Sequence, residues 1–232
     1  MMSDQPEPAA TPEKTYVVRE IFHSLQGEGA RAGSVNVFLR FAFCNLQCSR
    51  EVEGFNCDTD FSHGERMTAG QIVDAVKAAD LTPGGCGWII ATGGEPTLQL
   101  DSFLCTALRC AGYNIAIETN GTHQPKVDAD ALDYIAVSPK PTRPCLLKFA
   151  DECRIVLKNG QEPDQGQLEM ASRSGRVFIS PAFCAPPVSD IKGWESSMSD
   201  FHSGNVEWCI QFVKRNPGYS LSLQQHKILG LR

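Results

Sequence analysis

Three cysteines lie close together in one polar stretch of the sequence, at Cys44, Cys48 and Cys57. Three residues separate the first pair and eight separate the second pair. Three thiolates on one loop can hold a metal centre and leave one coordination position open for a substrate. A structural zinc site takes four ligands, and His63 could supply the fourth. The spacing alone leaves an iron–sulfur cluster, a zinc site and plain buried thiols open.

Polar turns that contain glycine or proline follow several short apolar segments. These turns are TGGEP at residues 92–96, ETNGT at 118–122, SPKP at 138–141 and ISP at 179–181. In a parallel barrel, functional groups lie at the C-terminal ends of the strands. We therefore expect the four turns to share one edge of a sheet.

Short apolar strands alternate with amphipathic helices along the chain, which predicts an α/β fold with parallel strand pairing. The predicted strands span residues 16–22, 35–41, 87–92, 113–118, 134–137, 152–157, 176–179 and 219–223. The predicted helices span residues 68–80, 98–111, 164–172 and 206–214. Residues 1–14 are rich in Pro and Glu and lack periodicity, so we expect a disordered tail followed by one domain at residues 15–232.

Composition narrows the classes of function. The 232 residues include 21 Lys and Arg against 27 Asp and Glu, a net charge of −6, which argues against nucleic-acid binding. No apolar run approaches the ~18 residues of a membrane span, and the N-terminus lacks the apolar region of a secretory signal. We therefore expect a cytoplasmic protein whose ten cysteines are reduced. The cysteines outside the loop are predicted to pack as small apolar residues, at Cys86, Cys105, Cys110, Cys145, Cys153, Cys184 and Cys209.

The cysteine loop and the strand-end turns together resemble the radical S-adenosylmethionine (SAM) enzymes, and among them the 7-carboxy-7-deazaguanine synthase family. Eight features carry the resemblance, in the order of that family: LQGEG (25–29), Arg40 in FLRF, CNLQC (44–48), CDT (57–59), ATGGEP (91–96), ETNGT (118–122), SPK (138–140) and SLQQHK (222–227). Two features depart from it. Eight residues instead of two separate Cys48 from Cys57, and Phe43 stands where glycine is common.

The resemblance implies a partial, open (β/α) barrel of the TIM-like, radical SAM type. It implies that Cys44, Cys48 and Cys57 hold a 4Fe–4S cluster whose fourth iron binds SAM. It also implies that Thr59 binds Mg²⁺ through its hydroxyl group. The positions implied for SAM binding are Asn56, Asp58, Gly93, Gly94, Glu118, Ser138, Pro139 and Lys140.

The same resemblance implies a pterin site. Glu28 could accept hydrogen bonds from the guanidine-like edge of the ring, and Arg40 could pair with the substrate carboxylate. A charge inside an apolar strand such as VFLRF is rarely buried without a partner. The positions implied for substrate binding are Leu25, Gln26, Gly27, Glu28, Arg40, Thr92 and His226.

The implied reaction is the ring contraction of 6-carboxy-5,6,7,8-tetrahydropterin to 7-carboxy-7-deazaguanine with loss of ammonia. A 5′-deoxyadenosyl radical starts the reaction, so no side chain is expected to be catalytic and the cofactors carry the chemistry. The resemblance also implies a role in queuosine or other 7-deazapurine biosynthesis, a flavodoxin or ferredoxin reductant and a homodimer. The alternatives are a glycyl-radical-activating or other small radical SAM enzyme and, from another class, a zinc-binding module.

Overall fold

A computed structural model describes residues 13–46, 48, 57, 59–128, 130–182 and 204–231. Within them, nine strands form one sheet in the order β3-β1-β2-β4-β5-β6-β7-β8-β9. The strands are β1 (Thr15–Leu25), β2 (Val35–Phe41), β3 (Glu65–Thr68), β4 (Trp88–Gly93), β5 (Asn114–Thr119), β6 (Tyr134–Val137), β7 (Ala150–Leu157), β8 (Ser174–Pro181) and β9 (Ser220–Leu221).

Helices occupy the connections between the parallel strands. They are α1 (Ala69–Ala79), α2 (Ser102–Cys110), α3 (Gln165–Ser172) and α4 (Asn205–Arg215), whereas α5 (Gln225–Leu229) follows β9. Short 3-10 turns lie at Gly29–Arg31 and Pro96–Leu98. No helix in the described part of the chain is long and apolar enough to cross a membrane.

From β2 onward the strands pair in parallel with their successors in chain order, except that β3 lies on the far side of β1. This order without a reversal is that of a barrel opened along one side, so the predicted partial, open α/β barrel is confirmed. The expectation of parallel pairing fails at one edge, where β1 runs antiparallel to both β2 and β3. The physical reason is that residues 26–34, which join β1 to β2, are too few for the crossover of about a dozen residues that parallel strands need.

Successive side chains of each strand point to opposite faces of the sheet, and each face carries an apolar cluster. On the outer face, Val37, Leu39 and Ile89 pack against Ile72 of α1 and Leu104 of α2. A second outer cluster lies under α3 and α4. This face holds the helices to the sheet.

The inner face has a smaller apolar cluster formed by Phe22, Phe38, Ile90 and Ala116. The rings of Phe22 and Phe38 stack with centroids 5.1 Å apart. Further along the same strands, the inner positions carry polar and charged side chains instead of apolar ones.

The predicted elements are all present, but one helix is displaced. Residues 96–98 form a 3-10 turn, and α2 begins only at Ser102 because the Asp101 carboxylate accepts a hydrogen bond from the amide of Leu104 at 2.9 Å. Helix α1 begins with a capping box, since Thr68 and Gln71 exchange side-chain to backbone hydrogen bonds. The sequence analysis missed β3 and α5.

Cysteine packing was predicted well for the most apolar positions. Cys105, Cys153 and Cys209 are fully buried. Cys110 is exposed, because it is the last residue of α2 and lies off the buried stripe of that helix, so the prediction was wrong there. Cys86 and Cys145 are half-buried. Cys184 lies outside the described residues, as does the predicted tail apart from residues 13 and 14.

Candidate active site

A cavity lies at the ends of β4, β5, β6 and β7, on the edge of the sheet where the predicted strand-end turns meet. Two loops complete its walls. They are the cysteine loop, which contains Cys44, Cys48 and Cys57, and the glycine-rich loop that joins β1 to β2 at residues 26–34. The predicted site residues that line this cavity are Glu28, Cys44, Cys48, Cys57, Thr59, Gly93, Gly94, Glu118, Ser138 and Lys140.

The three loop cysteines all line this cavity. Cys44 and Cys48 are half-buried and Cys57 is exposed. The amide of Cys57 donates to the carbonyl of Cys48 at 3.3 Å, and the amide of Leu46 donates to the Cys44 sulfur at 3.4 Å. Burial raises the pKa of the Cys44 thiol. Iron binding would displace that proton, because the thiolate is the ligand.

Three thiols that line one cavity match the donor set of a cluster with one open iron. In a cluster each cysteine binds a different iron, so three sulfurs can line one cavity without meeting at a point. A structural zinc needs four donors around a single ion. Among the described residues, no group of three His, Cys, Asp or Glu side chains is placed to hold a single metal ion. His63 is exposed, contacts Ser62 and does not line the cavity.

The glycine pair at the end of β4 lies against the start of the cysteine loop. A Cβ on Gly94 would be 1.9 Å from the carbonyl oxygen of Phe43, and a Cβ on Gly93 would be 2.2 Å from that of Phe41. Gly93 also has a φ of +124°, which favours glycine. We expected these glycines to make room for the methionine part of SAM. The structure shows that they make room for the protein's own backbone, and their contact with SAM stays a prediction.

Glu95 links the ends of β4 and β5 through hydrogen bonds. It was not predicted as a site residue. Its carboxylate is fully buried and accepts hydrogen bonds from the hydroxyls of Thr97 and Thr119, both at 2.7 Å, and from the amide of Asn120 at 2.8 Å. The Asn120 side-chain amide lies 3.9 Å from the Cys44 sulfur. The TGGEP and ETNGT motifs were the available signal, because the acceptor Glu95 and two of its three donors, Thr119 and Asn120, lie within them.

Glu118 is the centre of a hydrogen-bond network on the inner face. It accepts from Gln26 Nε2 at 2.9 Å, from Thr92 Oγ1 at 2.9 Å and from Arg154 Nη1 at 2.8 Å. Burial alone would raise the pKa of Glu118, but the Arg154 charge and these hydrogen bonds lower it below its ordinary value. Glu118 was predicted to bind SAM, and Gln26 and Thr92 to bind substrate. The structure brings all three into one network.

The sequence analysis also missed Arg154 and Glu152 on β7. Arg154 is 8% exposed at its side chain and pairs through Nε with Glu152, which is fully buried. Glu152 also accepts from the hydroxyl of Tyr134 and the amide of Ala30, both at 2.8 Å. Alternate charges in an apolar strand were the available signal, since such charges are buried only when paired.

Helix α5 lies on the glycine-rich loop. A Cβ on Gly27 would be 2.1 Å from Nδ1 of His226, so only glycine allows this approach. The amide of Gln225 donates to the Gly27 carbonyl at 2.9 Å, and Gln224 donates to Glu28 at 2.7 Å. His226 is thus placed over the loop that the resemblance assigns to the pterin.

Several predicted positions lie beside the cavity rather than in its lining. Arg40 is paired through Nε with Glu20 at 2.8 Å and stacks over the Phe22 ring at 5.7 Å, so its charge is balanced within the protein. Two of the residues that do line the cavity contact each other, since Lys140 donates a hydrogen bond to the hydroxyl of Ser138 at 3.0 Å. The predicted residues outside the lining are Leu25, Gln26, Gly27, Arg40, Thr92, Pro139 and His226. Asn56 and Asp58 lie outside the described residues.

Comparison with known proteins identifies relatives that carry the same name. No protein-family model matches the sequence. The 7-carboxy-7-deazaguanine synthase of Burkholderia multivorans is 36% identical over 228 residues, which cover 94% of this chain and 99% of that protein. The protein of the same name from Bradyrhizobium diazoefficiens is 35% identical over 229 residues, covering 94% and 100%. The crystal structure of QueE from Escherichia coli agrees in fold, with a TM-score of 0.61 at 19% identity over 91% of this chain and 95% of that one.

Proposed function

The chain belongs to the 7-carboxy-7-deazaguanine synthase family of radical SAM lyases, and from this premise we propose that it converts 6-carboxy-5,6,7,8-tetrahydropterin to 7-carboxy-7-deazaguanine and ammonia. One observation carries the proposal. Three thiols of one loop share a single cavity with the strand-end residues Gly94 and Glu118. A cofactor held by the thiols would therefore lie beside the polar inner face of the sheet.

The cysteines supply the cofactor end of this cavity. Together with SAM, a 4Fe–4S cluster on Cys44, Cys48 and Cys57 would supply the 5′-deoxyadenosyl radical that removes a hydrogen from C6 of the pterin. Ser138 and Lys140 line the same cavity and offer a hydroxyl and an ammonium group to the ribose and carboxylate of SAM. Gly93, Gly94 and Pro139 shape the backbone around it, and Asn56 and Asp58 remain further candidates for this role.

The polar inner face supplies the substrate end. Glu28 and Glu118 are acceptors on the cavity wall, so they suit the N–H donors of the pyrimidine edge of a pterin. Gln26 and Thr92 hold Glu118, and His226 covers the loop at Gly27. Arg40 would receive the substrate carboxylate by exchanging its present partner, Glu20.

Magnesium is the remaining small cofactor of the proposal. Thr59 lines the cavity beside Cys57, and its hydroxyl oxygen is a ligand that Mg²⁺ accepts together with substrate oxygens. Asp58 would orient that ligand. We also propose that a flavodoxin or ferredoxin delivers the electron, that the chain forms a homodimer and that the product enters queuosine or another 7-deazapurine route. None of the nine described cysteines forms a disulfide, and we propose that the chain works in the cytoplasm, where thiols stay reduced.

The test is an anaerobic assay after reconstitution with iron and sulfide. We expect the protein to take up a coloured cluster and, with SAM, a reductant and the carboxy-tetrahydropterin, to form 7-carboxy-7-deazaguanine detected by mass spectrometry. Addition of Mg²⁺ should raise the rate. A colourless protein with tightly bound zinc would favour the zinc-binding module. SAM cleavage without pterin turnover would favour a glycyl-radical-activating or other radical SAM enzyme.

A further inference from the structure

We infer that Arg154 is a positioning residue for this reaction, which holds Glu118 and Glu28 as a fixed pair of carboxylates against which the pterin is oriented. The inference rests on the proposed function, because it assigns a role within the same cavity. Neither the motifs nor the comparisons point to Arg154. Its role follows from the contacts that its guanidinium group makes on two sides.

One side of the guanidinium group faces the cavity. Nη1 of Arg154 donates to Oε1 of Glu118 at 2.8 Å and lies 3.6 Å from Oε2 of Glu28. Arg154, Glu118 and Glu28 all line the cavity. Glu118 comes from β5 and Glu28 from the loop after β1, so the single cation bridges two elements that are also joined by the hydrogen bond from Gln26 to Glu118.

The other side is anchored in the protein. Nε of Arg154 donates to Glu152, whose side chain has no exposed surface. Glu152 is itself held by the hydroxyl of Tyr134 and the amide of Ala30, both at 2.8 Å. Because its anchor is buried and fully bonded, the guanidinium group has a defined position before any ligand arrives. A side chain fixed in this way can hold its two partners in the geometry that substrate requires.

The charges around Arg154 also support its role as a positioning residue. Three carboxylates, those of Glu28, Glu118 and Glu152, surround the single positive charge of Arg154. Without this charge the carboxylates would repel each other, and the pKa of Glu118, which is now low, would rise. Neutral donors from Gln26 and Thr92 would remain. The other titratable side chains that line the same cavity are Cys44, Cys48, Cys57, Lys140 and Lys227.

The experiment compares the reconstituted wild-type enzyme with R154Q and R154K. For R154Q we expect the dissociation constant of the carboxy-tetrahydropterin, measured calorimetrically with SAM but without reductant, to rise about tenfold at neutral pH. The acidic limb of the kcat/KM profile should move upward by about one pH unit, because Glu118 becomes easier to protonate. R154K keeps the charge, so its acidic limb should stay in place while its affinity falls about threefold.

A double-mutant cycle separates positioning from a general loss of structure. In an E118Q background, R154Q should no longer shift the acidic limb, because the group that titrates is gone. Arg173 is exposed and contacts only a helix carbonyl among its described hydrogen bonds, so R173Q is the matched control and should bind as the wild type does.

The inference is overturned if R154Q binds the pterin with unchanged affinity at every pH, or if R154Q causes the same loss with and without E118Q. Should R154Q not fold, R154K decides: a shifted acidic limb with unchanged affinity rejects the role. Failure of the proposed function looks different, because wild-type enzyme would then form no product whatever the Arg154 variants do.

Discussion

The two walls of the cavity are built in different ways. We call the first the cysteine wall, formed by Cys44, Cys48 and Cys57. We call the second the carboxylate wall, in which Glu28, Glu118 and Arg154 line the cavity and the buried Glu152 anchors Arg154 from behind. The side chains of Arg154 and Glu152 are 8% and 0% exposed and are bonded to each other. Cys57 is exposed. The difference teaches that the carboxylate wall is part of the fold itself, whereas the cysteine wall includes an exposed thiol that the proposed function assigns to a cofactor.

The strongest test of this difference is Cys57→Ala. Removing one of three cluster ligands should abolish cluster assembly and lower activity by more than ~100-fold. Because Cys57 is exposed, the free energy of unfolding of the metal-free protein should change by less than ~0.5 kcal/mol. Iron content, visible absorbance and urea unfolding measure these effects. Cys110→Ala, at an exposed cysteine away from the cavity, is the control and should keep its iron. Full iron content in Cys57→Ala would disprove the ligand assignment.

Glu152→Ala tests the opposite wall and should act on the fold without any cofactor. It leaves the buried Arg154 short of its anchoring partner and should lower the free energy of unfolding of the metal-free protein by ~3–5 kcal/mol. Urea unfolding measures the loss. The control is Glu162→Ala, because Glu162 is 57% exposed and lies 4.0 Å from Arg215, so the change should stay within ~0.5 kcal/mol. A loss of stability as small as the control's would mean that the carboxylate wall does not support the fold.

Gly94→Ala should have a smaller effect, at the joint between the walls. The new Cβ would meet the carbonyl oxygen of Phe43, so the start of the cysteine loop must move, at a cost of ~1–3 kcal/mol. Iron content should fall with it, because Cys44 follows Phe43. Gly70→Ala is the matched control: its Cβ has only Thr68 Oγ1 within 4 Å, at 3.9 Å, and alanine favours helix α1, so stability should rise by up to ~1 kcal/mol. Equal stability of the two variants would refute the close-packing argument.

Much of the fold could be predicted from local pattern. Strands β2 and β6 have the predicted bounds, because their apolar runs end in clear turn signals. Strand β3, with the sequence ERMT, was missed because it is short, polar and paired only with β1. The start of α2 was misplaced because an apolar stripe does not show where the Asp101 cap interrupts it.

The site was predictable where motifs mark it and obscure where pairing across strands creates it. The cysteines and the glycine pair at the end of β4 were predicted from the motifs that carry the family resemblance, and the structure places them at one cavity. The partners of Glu118 come from three separate elements at Gln26, Thr92 and Arg154, and only the register of the sheet brings them together. Gly94 was expected to face a ligand, but its lack of a side chain serves contact with Phe43, which spacing in the sequence does not reveal.

The approach of α5 to the glycine-rich loop has a consequence for how the protein is made. The hydroxyl oxygen of Ser222 accepts a hydrogen bond from the amide of Gly29, 193 positions earlier, and His226 lies against Gly27. Contacts so distant along the chain carry a large loop-closure entropy, which slows folding. On the ribosome, the loop to which we assign the pterin therefore lacks these contacts until helix α5 has been synthesised and has packed against it.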